Sequence, residues 1–291
     1  MKLNHPVCLA ALALALLAIP RPLDANPIPE DSKTGGFAIG CQAWTFRHYT
    51  VLEAIDKTAQ AGGKVIEFYP GQIFSPDHPD WKFDHHASDE MIAEVKARLE
   101  QDGVRAVNYG VVDIPKDEAG ARTIFDFARK LGLYGVTTES FDSMDTIEKL
   151  VREYNICVGF HDHQSRPENP EYRMWDPNFV LSLLKNRDSR IGACADTGHW
   201  VQSGLKPVDC LKILQGHIIS VHLHDMNEVS PQAHDIPTGT GVSDVPGILD
   251  ELKRQDFKGN ISIEYEYNWT NNVVDAAQAV GFVRGYGVKH Q

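Results

Sequence analysis

Residues 218–225, IISVHLHD, decide how the chain is read. This is a short β-branched apolar run that finishes on polar side chains able to bind a cation. Two further runs share its form: 191–196 (IGACAD) before it and 260–266 (NISIEYE) after it. Runs of this kind, bounded by turn residues, are expected as buried strands of a parallel sheet. Laid side by side, they bring Asp196, His224 and Glu264 together at their C-terminal ends, although these residues are far apart in sequence. Two carboxylates and an imidazole meeting at one sheet edge form a donor set for a divalent cation.

Outward from these runs, strand and helix patterns alternate. Strands are expected near 37–45, 64–69, 105–112, 135–140 and 156–163, ahead of the three already quoted. Apolar residues at helical spacing predict helices over 51–61, 89–101, 117–131, 144–154, 177–185, 208–214, 245–255 and 273–284. Ser88, Ser143, Asp176 and Ser243 read as residues that open helices, and Gly103, Gly132 and Gly216 as residues that stop them. Eight strands alternating with eight helices predict a single α/β domain over 37–291, a parallel sheet closed into a (β/α)8 TIM barrel. The rival is an open doubly wound sheet, but no GxGxxG follows the first strand. The long connections 70–87 and 226–241 are expected to frame the site.

Residues 1–25 have the form of a signal peptide, with Lys2, an apolar stretch over 7–19 and a small-residue end at Ala25. The stretch is shorter than the roughly 20 residues a spanning helix needs, so export to the periplasm or the medium is expected, not a stable membrane span. A Pro-rich linker, 26–36, follows. Cys41, Cys157, Cys194 and Cys210 lack small-domain disulfide spacing and are expected as buried thiols. A net charge of −12 without a basic stripe opposes nucleic-acid binding and leaves a neutral or weakly charged small molecule as the expected partner. The sequence does not set the oligomeric state.

Side chains alternate across a strand, so Ser262, Glu264 and Glu266 share the barrel interior, as do His222 and His224. Buried acids there are unfavourable without a counter-charge, which a cation supplies. Any one of them has a structural role as a ready alternative, but several together favour the cation. The fourth strand ends at Glu139 and the fifth at His161-Asp162-His163. The expected metal set is Glu139, His161, Asp196, His224 and Glu264, suited to Mn2+, with Mg2+, Co2+ and Zn2+ open. His163, one pleat further out, reads as a substrate ligand or an acid/base, and Asp162 competes as a charged, solvent-facing loop residue. In Asp196-Thr197-Gly198-His199-Trp200, Gly198 allows a tight turn, and His199 either binds substrate hydroxyls or orients Asp196. Trp44, Phe68, Tyr69 and Trp200 fall near strand ends, where aromatic faces either receive a sugar ring or fill the core.

The segments Glu67-Phe68-Tyr69-Pro70-Gly71-Gln72, Asp196-Thr197-Gly198-His199, His222-Leu223-His224-Asp225 and Glu264-Tyr265-Glu266 resemble the sugar phosphate isomerase/epimerase family of xylose isomerase-like TIM barrels. The resemblance implies a divalent metal, often manganese, held by four strand-end side chains, three of which match Asp196, His224 and Glu264. The fourth is usually a Glu at the end of strand five. Here that position holds His161, so one of the two bases of an epimerase becomes an imidazole or is replaced by Glu139.

The chemistry this implies is proton abstraction beside a carbonyl, with the metal stabilising an enediolate. His161, His163 and Glu264 are the expected catalytic residues, and Trp44, His199, His222 and Glu266 the expected substrate contacts. An isomerase or epimerase of an unphosphorylated sugar is the leading expectation. A keto-glycoside lyase using the same enolate comes next. A non-catalytic sugar-binding protein and an apurinic-site endonuclease are rivals from other classes, the last disfavoured by the acidic balance.

Overall fold

Strands buried on both faces need cover on both sides, and this chain obtains it by closing its sheet. The computed structural model describes residues 27–289. The signal peptide expected over 1–25 therefore lies outside the described residues. In chain order the strands are β1 (Ala38–Gln42), β2 (Val65–Phe68), β3 (Gln72–Ser75), β4 (His78–Phe83), β5 (Arg105–Tyr109), β6 (Gly135–Thr138), β7 (Cys157–His161), β8 (Ile191–Asp196), β9 (Ile218–Leu223) and β10 (Asn260–Ile263). Eight of them form a closed parallel barrel in the order β1-β10-β9-β8-β7-β6-β5-β2. Every residue of β1 and of β8 is buried. The predicted TIM barrel is the observed fold, and the open-sheet rival is excluded.

Helices α1 (Val51–Gln60), α2 (Asp89–Asp102), α3 (Glu118–Leu131), α4 (Met144–Tyr154), α5 (Pro177–Leu184), α6 (Thr197–Gln202), α7 (Pro207–Ile213), α8 (Val245–Arg254) and α9 (Val273–Lys289) form the outer layer. Their apolar stripes face the sheet: Ile124, Phe125 and Ala128 of α3 are buried, as are Ile248, Leu249 and Leu252 of α8. Ser88 caps α2 by accepting from the Met91 amide, and Asp176 caps α5 by accepting from Asn178. Gly132 ends α3 at φ 71°, a conformation that glycine adopts without penalty. Two expected caps are corrected. Ser143 Oγ donates to the Ile114 carbonyl instead of capping α4, and Asp244, not Ser243, accepts from the first turn of α8. Among the described residues, no helix is long and apolar enough to cross a membrane.

Two segments differ in kind from their expected form. The connection 70–87 contains the antiparallel hairpin β3–β4, whose Phe74 and Phe83 are fully buried. In the stretch expected as a linker, Ile28 packs on Ala38, Val65 and Val107, and Thr34 bridges to Phe37. The four cysteines are buried, as expected.

The register decides the site. Asp196 pairs with His222, and His222 pairs in turn with Ser262. The last residues of β8, β9 and β10 therefore reach the same level at the C-terminal end of the barrel.

Candidate active site

Asp196, the last residue of β8, is almost wholly buried and also opens α6. Its Oδ1 accepts from the His199 amide at 2.8 Å. Its Oδ2 faces three imidazoles: His224 Nε2 at 3.2 Å, His161 Nε2 at 3.5 Å and His222 Nδ1 at 3.7 Å. Glu264 stands just past β10, with Oε2 2.7 Å from His222 Nδ1 and 3.8 Å from His224 Nε2. His161, Asp196, His222 and Glu264 each offer a donor atom, and these atoms all lie within 4.8 Å of one another.

Whether this set suits a cation is decided by its hydrogen bonding. Asp196 Oδ2, His224 Nε2 and both ring nitrogens of His222 are buried and have no aligned hydrogen-bond partner. Buried polar atoms are normally satisfied, and leaving one unmet costs about 1–3 kcal/mol. Three of them, Asp196 Oδ2, His224 Nε2 and His222 Nδ1, face one another from the ends of two neighbouring strands, a grouping that a divalent ion would satisfy, whereas His222 Nε2 turns to Glu67. Two imidazoles with two carboxylates suit Mn2+, Co2+ or Zn2+, whereas a thiolate-seeking ion finds no sulfur among these four ligands. The residues fit the group that the resemblance implies.

The electrostatics agree. Burial alone would raise the Asp196 carboxyl, but the surrounding imidazoles, His199 and His224 foremost, outweigh it and hold the group well below the usual range. Glu264 is likewise held down against burial, chiefly by His222. Burial works against charge on His161, yet Asp196 and Glu139 raise its pKa well above the ordinary value. Glu266 moves the other way, pushed up by burial and by neighbouring Glu264.

Several expected roles land elsewhere. His222, expected on the substrate side, is buried within the donor group, and His224, expected as a ligand, stands beside it with Nε2 3.2 Å from Asp196 Oδ2 and 3.8 Å from Glu264 Oε2. His224 lies just past the end of β9 at Leu223, and its Nδ1 pairs with Asp235 Oδ1 at 3.0 Å, which leaves Nε2 facing the two carboxylates. Glu139 lies outside the group, in a second cluster with His161 and His163. Asp162 is not solvent-facing. It is buried, and its Oδ1 accepts from the Asp196 amide at 2.9 Å. Gly198 lies in α6 and not in the expected tight turn, and it serves close approach, since a Cβ there would come within 2.8 Å of His224 Cγ. Phe68 and Trp200 belong to the core.

Above the donor group lies a cavity of about 450 Å³. Its walls include Trp44, Tyr69, His163, Gln164, His199 and Glu266, and its base includes His161 and Glu264. Trp44 Nε1 donates to Glu266 Oε1 at 2.8 Å, and its ring meets Tyr69 edge-on. His199 Nδ1 lies 2.8 Å from Gln202 Oε1.

Three contributors were given no role in the sequence reading. Asp235, in the long loop after β9, accepts from the Glu266 amide at 2.8 Å as well as meeting His224. Tyr172 Oη donates to Glu139 at 3.1 Å. Glu67 of β2 lies beneath the site with Oε1 3.1 Å from His222 Nε2. Its EFYPGQ context was legible, but its place under a histidine was not.

The comparisons agree with this geometry. Residues 55–286 match the family described as Xylose isomerase-like TIM barrel. Among solved structures, an uncharacterized protein from Parabacteroides distasonis is 30% identical, with TM-score 0.68, 86% of this chain covered and 99% of the other. A D-psicose 3-epimerase solved in the presence of D-fructose is 13% identical, with TM-score 0.66 and coverages of 86% and 99%. The D-allulose 3-epimerase from Methylomonas sp., in complex with D-allulose, is 16% identical, with TM-score 0.63 and coverages of 85% and 96%. No curated protein matches. With the family matched over most of its length, the chain belongs to the xylose isomerase-like TIM barrel family of enzymes.

Proposed function

We propose that the protein is a divalent-metal-dependent isomerase or epimerase of an unphosphorylated sugar, working by proton transfer beside a carbonyl. The observation that carries this reading is the four-donor group, His161, Asp196, His222 and Glu264, set at the base of the aromatic-walled cavity. None of the described lining residues is Lys or Arg, so the cavity offers no counter-charge to a phosphate. Epimerases of free ketohexoses among the structural neighbours support the same substrate class.

When bound, the cation, most simply Mn2+, polarises the substrate carbonyl and an adjacent hydroxyl. The chain's own residues do the rest. Glu264 borders both the donor group and the cavity, and His163 and His199 also line the cavity, with imidazoles 4.6 Å apart. Two such bases beside a bound sugar can remove a proton and return it. Trp44, held by Glu266, offers an aromatic face to sugar C–H groups, and the Glu266 carboxyl offers an acceptor to sugar hydroxyls. Export is part of this proposal, supported by the signal-like form of residues 1–25 and in keeping with an unphosphorylated substrate.

The test is incubation of Mn2+-loaded protein with D-fructose, D-allulose and a keto-glycoside in deuterated water, followed by NMR. Deuterium appearing beside the carbonyl, with conversion of the sugar, is expected. Release of the aglycone alone would reassign the reaction as a lyase, and no exchange with any of the three would overturn the proposal.

A further inference from the structure

Glu139, beyond the end of β6, touches two cavity imidazoles at once. Its Oε1 lies 3.3 Å from His161 Nδ1 and also pairs with His163 Nδ1. Its Oε2 accepts from Tyr172 Oη at 3.1 Å, and Tyr172 Oη accepts from the His163 amide at 3.1 Å. The carboxylate is thus engaged at both oxygens by the protein's own groups.

A carboxylate only accepts hydrogen bonds. Each Nδ1 that bonds to it must carry the hydrogen, and the Nε2 of each neutral ring is then the basic nitrogen. For His161 that nitrogen faces Asp196 Oδ2 at 3.5 Å, on the side of the donor group. For His163 it belongs to a ring that lines the cavity. We infer that Glu139 is a positioning residue that fixes the tautomer of both imidazoles, presenting His161 Nε2 to the cation and His163 Nε2 to the substrate. The need arises from this chain's own departure at strand five. A carboxylate ligand there would have no tautomer to set, but an imidazole does. For His161 the inference rests on the metal-dependent reading of the site, and for neither residue does its test involve sugar turnover.

The experiment uses Zn2+ alone as a diamagnetic probe on 15N-labelled protein. Long-range 1H–15N spectra and Zn2+ titrations are compared for the wild type, Glu139→Gln and Glu139→Leu. In the wild type, His161 and His163 should both show the Nδ1–H form with one Zn2+ bound. Glu139→Leu should release His163 to the Nε2–H form and weaken Zn2+ binding by roughly 10–100-fold. Glu139→Gln keeps an accepting oxygen and should retain the wild-type tautomers and bind Zn2+ within a few-fold of wild type. If Glu139→Leu does not fold, Glu139→Asp, one methylene too short to reach both rings, replaces it with the same expectation. Loss of Zn2+ in Glu139→Gln as complete as in Glu139→Leu would overturn the inference by making Glu139 a ligand. So would a second Zn2+ equivalent that disappears with Glu139, or a His163 tautomer indifferent to the substitution. Failure of the sugar assay leaves all of these readouts unchanged.

Discussion

Glu67 and Asp196 are both buried carboxylates on neighbouring levels of one barrel, and their surroundings are opposite. Glu67 lies 3.1 Å from His222 Nε2 but is hydrogen-bonded by hydroxyls and an amide: Thr137 Oγ1 at 2.9 Å, Ser262 Oγ at 2.8 Å and Asn260 Nδ2 at 3.4 Å. Asp196 Oδ2 is met by three imidazole nitrogens and hydrogen-bonds to none. The first environment is closed and satisfies the acid with the protein's own donors. The second gathers imidazoles that leave Oδ2 without a hydrogen bond. Burial alone therefore does not mark a ligand; what marks it is burial among groups that cannot satisfy one another.

The sharpest way to break that contrast is Asp196→Asn. It should reduce cation retention, read by elemental analysis, to background and lower turnover by roughly 1000-fold or more, because the central charge is gone. Retained metal would remove Asp196 from the donor set. Glu67→Ala should act on the other side of the comparison. Stripping the partner from Thr137, Ser262 and Asn260 should cost about 2 kcal/mol of stability, read by urea unfolding of chelator-treated protein. Stability equal to wild type would mean that the lower network is not structural. Gly198→Ala tests how closely the ligand side is built. The added methyl would push on the His224 ring, and cation affinity should fall roughly 10-fold with little loss of fold.

The smallest effect belongs to a third kind of carboxylate. Asp188 meets the guanidinium of Arg190 at 2.8 Å and that of Arg152 at 3.1 Å, and these pairings hold its pKa well below the usual value. Because the folded pKa is the lower one, its stabilisation is fully present above about pH 4 and is lost as the pH falls through the folded value. Asp188→Asn should thus cost about 1 kcal/mol at neutral pH, after allowance for screening, and nothing once the wild-type carboxyl is protonated. Parallel unfolding curves of the two proteins from pH 7 to pH 2 check this. A gap that widens in acid would contradict it.

Much of this was legible because parallel strands announce themselves. β8 occupies the predicted span, 191–196, since all its residues are buried and nothing interrupts the run. β9 and β10 stop earlier than their patterns suggest, at Leu223 and Ile263. Past those points the backbone turns to side chains from other elements: the Tyr265 amide donates to Thr45 Oγ1 and the Glu266 amide to Asp235 Oδ2. Periodicity could place His222 and His224 on the same side but could not show how each ring is turned, because that depends on where β9 ends, on Glu67 beneath His222 and on an aspartate eleven residues from His224. The hairpin β3–β4 was hidden for a different reason. Pro76, Asp77 and Pro79 in its sequence read as loop, while burial of Phe74 and Phe83 holds the ribbon in place. Glu139 was visible at its strand end, but a strand-end acid does not say whether it grips an ion or a ring.

The seam between β1 and β10 has a consequence for how the enzyme comes into being. The two ends of the described chain meet there, from the Ala38–Asn260 pair upward, and Trp44, Thr45 and Glu266 stitch the join at the mouth. During synthesis, His161, Asp196 and His222 leave the ribosome well before Glu264 does. A nascent chain thus carries three of its four donors on an unsealed sheet and gains the last only when the final strand docks against the first. Competence to hold the ion arrives together with closure of the barrel.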